Sequence, residues 1–180
     1  LQDRLLGSTA ERVIQRAGAP VLSVRRRRQG PYGRVVAATD FSDCSRHALV
    51  SAAALLPGAT FLLVHAYRVP YPGFISESAA EPEIRRGAQE RMNAFLRALA
   101  DAPTVAGRLE PRLLFGLPED VLSELVQAPD TDLVILGSHG AGGAFGKLLG
   151  GTAERLISRL PCDILVTRSP KASAGALAEG

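Results

Sequence analysis

Several residue types that mark particular protein classes are scarce in this chain of 180 residues. Tryptophan is absent and aromatic residues make up 5%, so the core must consist of Leu, Val, Ile and Ala. The two cysteines, Cys44 and Cys162, give no disulfide framework, and we expect buried free thiols in a reducing cytoplasm. No apolar run reaches membrane-spanning length and no signal peptide is visible. We therefore expect a cytoplasmic protein with no membrane partner.

Two familiar nucleotide-binding patterns are missing as well. The Rossmann fingerprint needs G-x-G-x-x-G directly after the first strand, but that strand ends here in Thr39 and Asp40. The Walker pattern needs Ser or Thr after Gly-Lys, and Lys147 is followed by Leu148. We also find no metal-ligand cluster and no Ser–His–Asp arrangement. The sequence thus predicts no catalytic residues and no protein-held metal.

The net charge of +3 is unevenly distributed. Residues 1–34 contain eight Arg and two acidic residues, whereas the remainder contains thirteen basic and sixteen acidic residues. The larger part is mildly acidic, which argues against specific nucleic-acid binding. The four arginines at 25–28 have two interpretations, a solvated connector or a surface that attracts an anionic partner.

Apolar runs and helical periodicity alternate along the chain, with Pro and Gly at the breaks. Such alternation predicts a parallel sheet with right-handed crossovers and helices on both faces. Ligands of such sheets bind beyond the carboxyl ends of the strands. The predicted strands are 34–39, 60–67, 108–115, 132–136 and 163–168, and the predicted helices are 43–56, 82–101, 118–127 and 151–160.

A glycine-rich segment follows the fourth predicted strand and leads into the last helix. Gly137 and Gly140 come first, then Gly150 and Gly151. Glycine lets the main chain approach a ligand closely, and a helix start offers unpaired N–H groups with partial positive charge. The pattern favours a site that binds phosphate through main-chain donors.

An internal repeat occurs at an offset of 143 residues. Residues 6–16 match residues 149–159, and Leu22 and Arg25 match Leu165 and Arg168. The offset is about one small domain. We therefore expect residues 1–27 to be the last helix and strand of a preceding repeat, 28–33 a linker, 34–168 a complete domain and 169–180 a disordered tail.

Four landmarks follow one another along the chain: Val35-Val36-Ala37-Ala38-Thr39-Asp40-Phe41-Ser42, Leu62-Leu63-Val64-His65, Gly116-x-Pro118, and Gly137-x-x-Gly140 followed after nine residues by Gly150-Gly151. In this order they resemble the universal stress protein family over about residues 33–168. The resemblance implies a five-stranded parallel sheet in the order 3-2-1-4-5, an adenine nucleotide alpha hydrolase-like, Rossmann-like fold. It also implies ATP binding, and a homodimer or tandem pseudo-dimer joined along the fifth strand.

The resemblance also implies roles for individual residues. Gly137 and Gly140 would admit the phosphates, and Asp40 would accept hydrogen bonds from the ribose. Adenine would lie beside Thr39 and the main chain near His65 and Ala66. His139 is either a phosphate donor or a loop histidine, and Lys147 either a phosphate counter-charge or a solvated lysine. The phosphates would be held at the helix start by Gly150, Gly151, Thr152 and Ala153, with Mg²⁺ or Mn²⁺ carried by the phosphates.

One position departs from the family pattern. The family carries Ser or Thr after the third glycine, as the first repeat does in Ser8, which with Glu11 forms a capping box. Gly151 stands there instead, so a glycine caps the helix and a hydroxyl donor is lost, with the hydroxyl of Thr152 one residue later. We predict an ATP-binding regulatory domain of the stress response and not an enzyme, with a nucleotide-free dimerising scaffold or a slow ATPase as alternatives.

Overall fold

The structure, a computed structural model, describes residues 12–14, 16–25, 30–69, 77–128, 131, 133–139 and 149–168. The predicted tail, 169–180, lies outside these ranges, as do residues 1–11. The strands are β1 (Val21–Ser23), β2 (Arg34–Ala38), β3 (Thr60–Tyr67), β4 (Leu109–Phe115), β5 (Leu133–Gly137) and β6 (Asp163–Thr167). The helices are α1 (Asp43–Leu55), α2 (Glu77–Ala98), α3 (Pro118–Leu125) and α4 (Gly151–Arg159).

The strands form one sheet in the order β1-β6-β5-β2-β3-β4. The pairings from β6 to β4 are all parallel and reproduce the predicted order 3-2-1-4-5 read from the other edge. The order reverses beside β2, because β3 and β4 lie on one side of it and β5 and β6 on the other. Continuous apolar runs such as that of β5 fit a sheet that helices cover on both faces.

The sheet has one strand more than the five that the resemblance implies for the domain. The sheet has six strands, because β1 adds to the edge of β6 in antiparallel orientation. The pairs are Val21 with Val166, Leu22 with Leu165, and Ser23 with Ile164. A strand was expected within residues 1–27, and the structure places it against β6.

Two hydrophobic clusters lie on opposite faces of the sheet. One joins α3 and α4 to the sheet, and Ile14 from the N-terminal helical residues is buried within it. The other joins α1 and α2 to the sheet and contains Met92 and Phe95, which the sequence predicted as core residues. The N-terminal segment therefore completes the core of the domain that follows it.

Hydrogen bonds also join this N-terminal segment to α4 and β6. The Arg25 guanidinium donates to the carbonyl oxygens of Leu160, at 3.0 Å, and Ile157 at the end of α4. The Arg25 main-chain N–H donates to one oxygen of the buried Asp163 at 2.6 Å, and the Tyr32 hydroxyl donates to the other at 2.8 Å.

Helix α2 begins earlier than predicted. Proline is favoured in the first turn of a helix, and for that reason the prediction placed the start at Pro82. The helix instead begins at Glu77, which puts Pro82 inside it. Pro82 therefore costs one main-chain hydrogen bond, to the carbonyl of Ser78.

Two smaller expectations concern the cysteines and the membrane. Cys44 and Cys162 are both free and buried, as predicted. Among the helices that the structure describes, none combines the length and the apolar character that crossing a membrane requires.

Candidate functional site

A cavity of about 400 Å³ opens at the carboxyl edge of the sheet, where the strand order reverses. Every predicted site residue that the structure describes lines it, and Gly140 lies outside the described residues together with Lys147. The predicted residues brought together are Thr39, Asp40, Ala66, Gly137, His139, Gly150, Gly151, Thr152 and Ala153.

The cavity reaches the first turn of α4, where the capping differs from the prediction. The N-cap is Gly150 and not Gly151, because the Gly150 carbonyl accepts the first helical bond, from the Glu154 N–H at 2.9 Å. The Gly150 N–H is also occupied, since it donates to the Ser138 carbonyl at 2.8 Å. Residues 151–153 therefore carry the remaining N–H groups of the helix start, and these have no partner among the described residues. These three amides give the cavity one positively polarised end.

The opposite wall includes the end of β3. The even-numbered residues of β3 direct their main-chain groups toward β2, as the Thr60 N–H bond to the Gly33 carbonyl shows. Strand β2 ends at Ala38. The last main-chain hydrogen bond between this segment and β3 runs from the Thr39 N–H to the Val64 carbonyl, at 2.9 Å. Ala66 therefore presents one N–H and one C=O past the end of β2, with no partner among the described residues. A planar ligand edge that carries an acceptor next to a donor would form hydrogen bonds with this N–H and this C=O.

Between these walls lies the turn after β2, whose polar groups are largely engaged in building it. The Thr39 hydroxyl accepts from the Phe41 N–H at 2.9 Å and lies 2.9 Å from the Ser45 hydroxyl. Asp40 Oδ1 accepts from the N–H and the hydroxyl of Ser42, at 3.1 and 2.6 Å. The Thr39 hydroxyl is thus largely used by the turn itself, whereas Asp40 brings a carboxylate to the cavity wall.

Ser42 caps α1 as the sequence predicted, accepting from the Ser45 N–H at 3.2 Å. His65 contacts the same turn through its ring. Its Nδ1 lies 2.8 Å from the Thr39 carbonyl, and its ring stacks on Phe41 with the centroids 4.1 Å apart. A carbonyl only accepts, so Nδ1 carries a proton. Burial lowers the pKa of His65 despite this hydrogen bond, and the ring is neutral at pH 7.

Close packing requires glycine at position 137, a role that the sequence did not indicate. A Cβ at this position would lie 3.1 Å from the carbonyl carbon and Sγ of Cys44 and 3.2 Å from the Ser45 nitrogen. The missing side chain lets the end of β5 approach the first turn of α1. The main chain of Gly137 lines the cavity on its other side.

Ser138 and His139 form a hydrogen bond of 2.8 Å between Oγ and Nδ1. This pair is unsuited to nucleophilic catalysis, because Ser138 is 1% exposed and its hydroxyl lies near the Cys44 thiol. The groups of three or more His, Cys, Asp or Glu that a metal ion would need are also absent from the described part of the chain.

Sequence reasoning missed the apolar wall of the cavity and an ion pair beside it. The wall comes from α3, α4 and the strands, and α3 begins at Pro118 as predicted. On the neighbouring surface, Arg155 Nε of α4 donates to Glu119 Oε1 of α3. The pair forms where α3 and α4 pack together, so no local sequence pattern predicts it. The missed wall residues are Ala38, Val64, Pro118, Leu122, Leu136 and Leu156.

Comparison with known proteins gives a consistent result. The model of the universal stress protein family matches residues 31–168. A universal stress protein of Thermus aquaticus is 29% identical over 138 residues, which cover 74% of this chain and 97% of the relative.

Two solved structures share the fold. Universal stress protein UspA from Lactobacillus plantarum superposes with a TM-score of 0.60 at 21% identity, over 78% of this chain and all of its own. A Pseudomonas aeruginosa protein assigned to the same family gives 0.66 at 20% identity, over 99% of this chain but 63% of its own. The fold, the order of the landmarks and the match over residues 31–168 lead to one conclusion: this chain belongs to the universal stress protein family.

Proposed function

We propose that this chain is a regulatory domain of the stress response that binds adenine nucleotide, above all ATP. The observation that carries the proposal is that two sets of main-chain groups without a partner among the described residues lie in one cavity. They are the amides of residues 151–153 and the N–H and C=O of Ala66. The first set suits phosphate, and the second suits the edge of a base.

Each part of an adenine nucleotide has a matching group. The Ala66 N–H would donate to a ring nitrogen and its C=O would accept from the exocyclic amino group. The Asp40 carboxylate would accept from the ribose hydroxyls between the base and the phosphates. Apolar contact with the base would come from Val64, Leu122 and Leu136, which line the same cavity.

The phosphates would lie against the first turn of α4, where the helix dipole adds to the hydrogen bonds. The Thr152 hydroxyl accepts from Arg155 Nη2 at 3.3 Å, so its own O–H remains a donor for an anion. Thr152 thereby replaces the hydroxyl that Gly151 lacks. Mg²⁺ or Mn²⁺ would arrive on the phosphates, since the described residues offer no carboxylate cluster to hold it.

We infer a regulatory and not a catalytic role, because Asp40 is the one carboxylate among the described residues that line the cavity, and the proposal assigns it to the ribose. Nucleotide binding would then change the surface around the cavity mouth. Hydrolysis, if measured, should be slow compared with nucleotide dissociation.

Isothermal titration with ATP and Mg²⁺ tests the proposal, with Asp40→Asn as the diagnostic variant. Asn keeps an oxygen for Ser42 but removes the charge, so ATP should bind about tenfold more weakly, the loss of one charge-assisted hydrogen bond. The variant should also lose the preference of the wild type for ATP over 2′- and 3′-deoxy-ATP. Asp43→Asn is the matched control, because the Asp43 side chain is 75% exposed and pairs with Arg46. Absence of ATP binding by the wild type at millimolar concentration would refute the proposal.

A second experiment examines Gly151. Gly151→Ser should change ATP affinity by less than about threefold, since Thr152 already supplies a hydroxyl donor. A gain of tenfold or more would mean that Thr152 does not replace it.

We also propose that the edge of β6 is the surface on which two repeats pair, in tandem within the chain. The β1–β6 register supports this, because Leu22 lies opposite Leu165, its equivalent at the offset of 143 residues. Val21 lies opposite Val166, the equivalent of Ser23, and Ser23 lies opposite Ile164, the equivalent of Val21. The pairing is therefore symmetric about the pair of Leu22 and Leu165. Since β1 covers β6, a second copy cannot pair there. Deleting residues 1–27 should expose the edge and raise the oligomeric mass measured by light scattering, and an unchanged mass would contradict the idea.

A further inference from the structure

The ion pair between α3 and α4 lies beside the phosphate end of the cavity. Glu119 stands in the first turn of α3 with its side chain 8% exposed, whereas that of Arg155 is 56% exposed. A buried carboxylate thus holds a solvent-facing guanidinium in place. Burial raises the pKa of Glu119, but the hydrogen bond and charge of Arg155 outweigh this, so the pKa is lowered.

The remaining nitrogens of Arg155 face the start of α4. Residue 155 is one turn beyond Gly151, and helical side chains lean toward the N-terminus. Nη2 donates to the Thr152 hydroxyl at 3.3 Å. Nη1 lies close enough to Gly151 that a Cβ there would be 3.4 Å from it. The guanidinium therefore sits over the turn that carries the three unpaired amides.

The cavity otherwise lacks a fixed cation. Its described lining includes neither Lys nor Arg, and its two histidines are His139 and His65, the pKa of which burial lowers. A triphosphate carries several negative charges, which main-chain dipoles neutralise only in part. A guanidinium held at this turn presents two N–H groups in a fixed geometry that suits phosphate oxygens.

We propose that Arg155 contacts the outer phosphates of the bound nucleotide and makes the site prefer ATP over AMP, with Glu119 as its positioning residue. This inference rests on the proposed nucleotide binding. Nε stays bonded to Glu119, while Nη1 and Nη2 turn toward the phosphates. Arg155 thus sets how many phosphates the site selects, whereas Ala66 and Asp40 select the base and the ribose.

The test is titration of the full chain with ATP, ADP and AMP, comparing wild type with Arg155→Gln. The variant should bind ATP about tenfold more weakly, while AMP affinity should change by less than about twofold. A folding defect would lower both affinities together, so the ratio of ATP to AMP affinity isolates the contact. Arg155→Lys should not restore the ratio, because an ammonium cannot hold Glu119 and two phosphate oxygens at once.

Two further variants complete the design. Glu119→Gln should reduce the ATP to AMP ratio by a smaller factor, about threefold, since the guanidinium remains but is less well held. Arg159→Gln, one turn further along α4 and exposed, is the control and should leave the ratio unchanged. If wild type binds ATP and Arg155→Gln keeps the wild-type ratio, the role of Arg155 is refuted while nucleotide binding stands. If wild type binds no nucleotide, both fall.

Discussion

Replacing Gly137 by alanine should destabilise the domain, although the change adds only one methyl group. That methyl would lie 3.1 Å from two atoms of Cys44 and 3.2 Å from the nitrogen of Ser45. Two of the three atoms belong to the main chain of the first turn of α1, which cannot rotate away. Inserting one carbon into such a site costs about 1–3 kcal/mol. We expect the free energy of unfolding to fall by that amount in urea denaturation.

A second glycine provides a matched control. Gly87 lies within α2, and a Cβ there meets nothing within 4 Å. Gly87→Ala should therefore stabilise the protein by about 0.5–1 kcal/mol, through helix propensity and reduced freedom of the unfolded chain. The same chemical change is thus predicted to act in opposite directions at two positions. Adding Cys44→Ala to Gly137→Ala should recover part of the loss, because it removes Sγ but leaves the main-chain contacts. Equal stability of Gly137→Ala and wild type would refute the close-approach explanation.

Three more predictions concern arginines and their partners. Arg108 donates to the carbonyls of Ala59, Ala53, Thr104 and Leu56, so Arg108→Ala should lower the free energy of unfolding by about 2 kcal/mol or more in urea denaturation. Arg25→Ala should remove about 1–2 kcal/mol and speed proteolysis near β1, because two carbonyls at the end of α4 lose their donor. Glu119 has a lowered pKa, so its stabilising effect is complete above the ordinary value of 4.5 and is lost as the pH falls through the folded-state pKa; the stability gap between wild type and Glu119→Gln should shrink over that range.

The order of the sheet and the residues of the cavity were accessible from the sequence for a simple reason. Strands such as β5 are continuous apolar runs, and parallel strands of alternating folds place their carboxyl ends at one edge. Thr39 and Asp40 after β2 and Gly137 after β5 therefore had to converge if those strands were neighbours. The prediction needed only local patterns and a rule of topology.

The features that sequence reasoning missed depend on contacts between distant residues. The antiparallel register of β1 on β6 joins positions more than 140 residues apart. The N-cap of α4 is Gly150 and not the predicted Gly151, because the Gly150 N–H donates to the Ser138 carbonyl at 2.8 Å and holds that residue outside the helix. Glu119 and Arg155 are 36 residues apart, and no local pattern pairs them. Periodicity identifies elements, whereas such contacts are set when the elements pack.

The structural role of Gly137 changes how the glycines of this site should be interpreted. A glycine beside a cavity is readily assigned to ligand approach, yet the space that Gly137 leaves is filled by α1. The close approach of α1 fixes the turn that holds Asp40, because Ser42 caps that helix and donates to the Asp40 carboxylate. If the site binds a nucleotide as proposed, Gly137 would therefore act on the ribose end through α1 and not through the phosphates. It follows that Gly137→Ala should weaken adenosine and ATP binding by a similar factor, whereas a phosphate-admitting glycine would affect ATP alone.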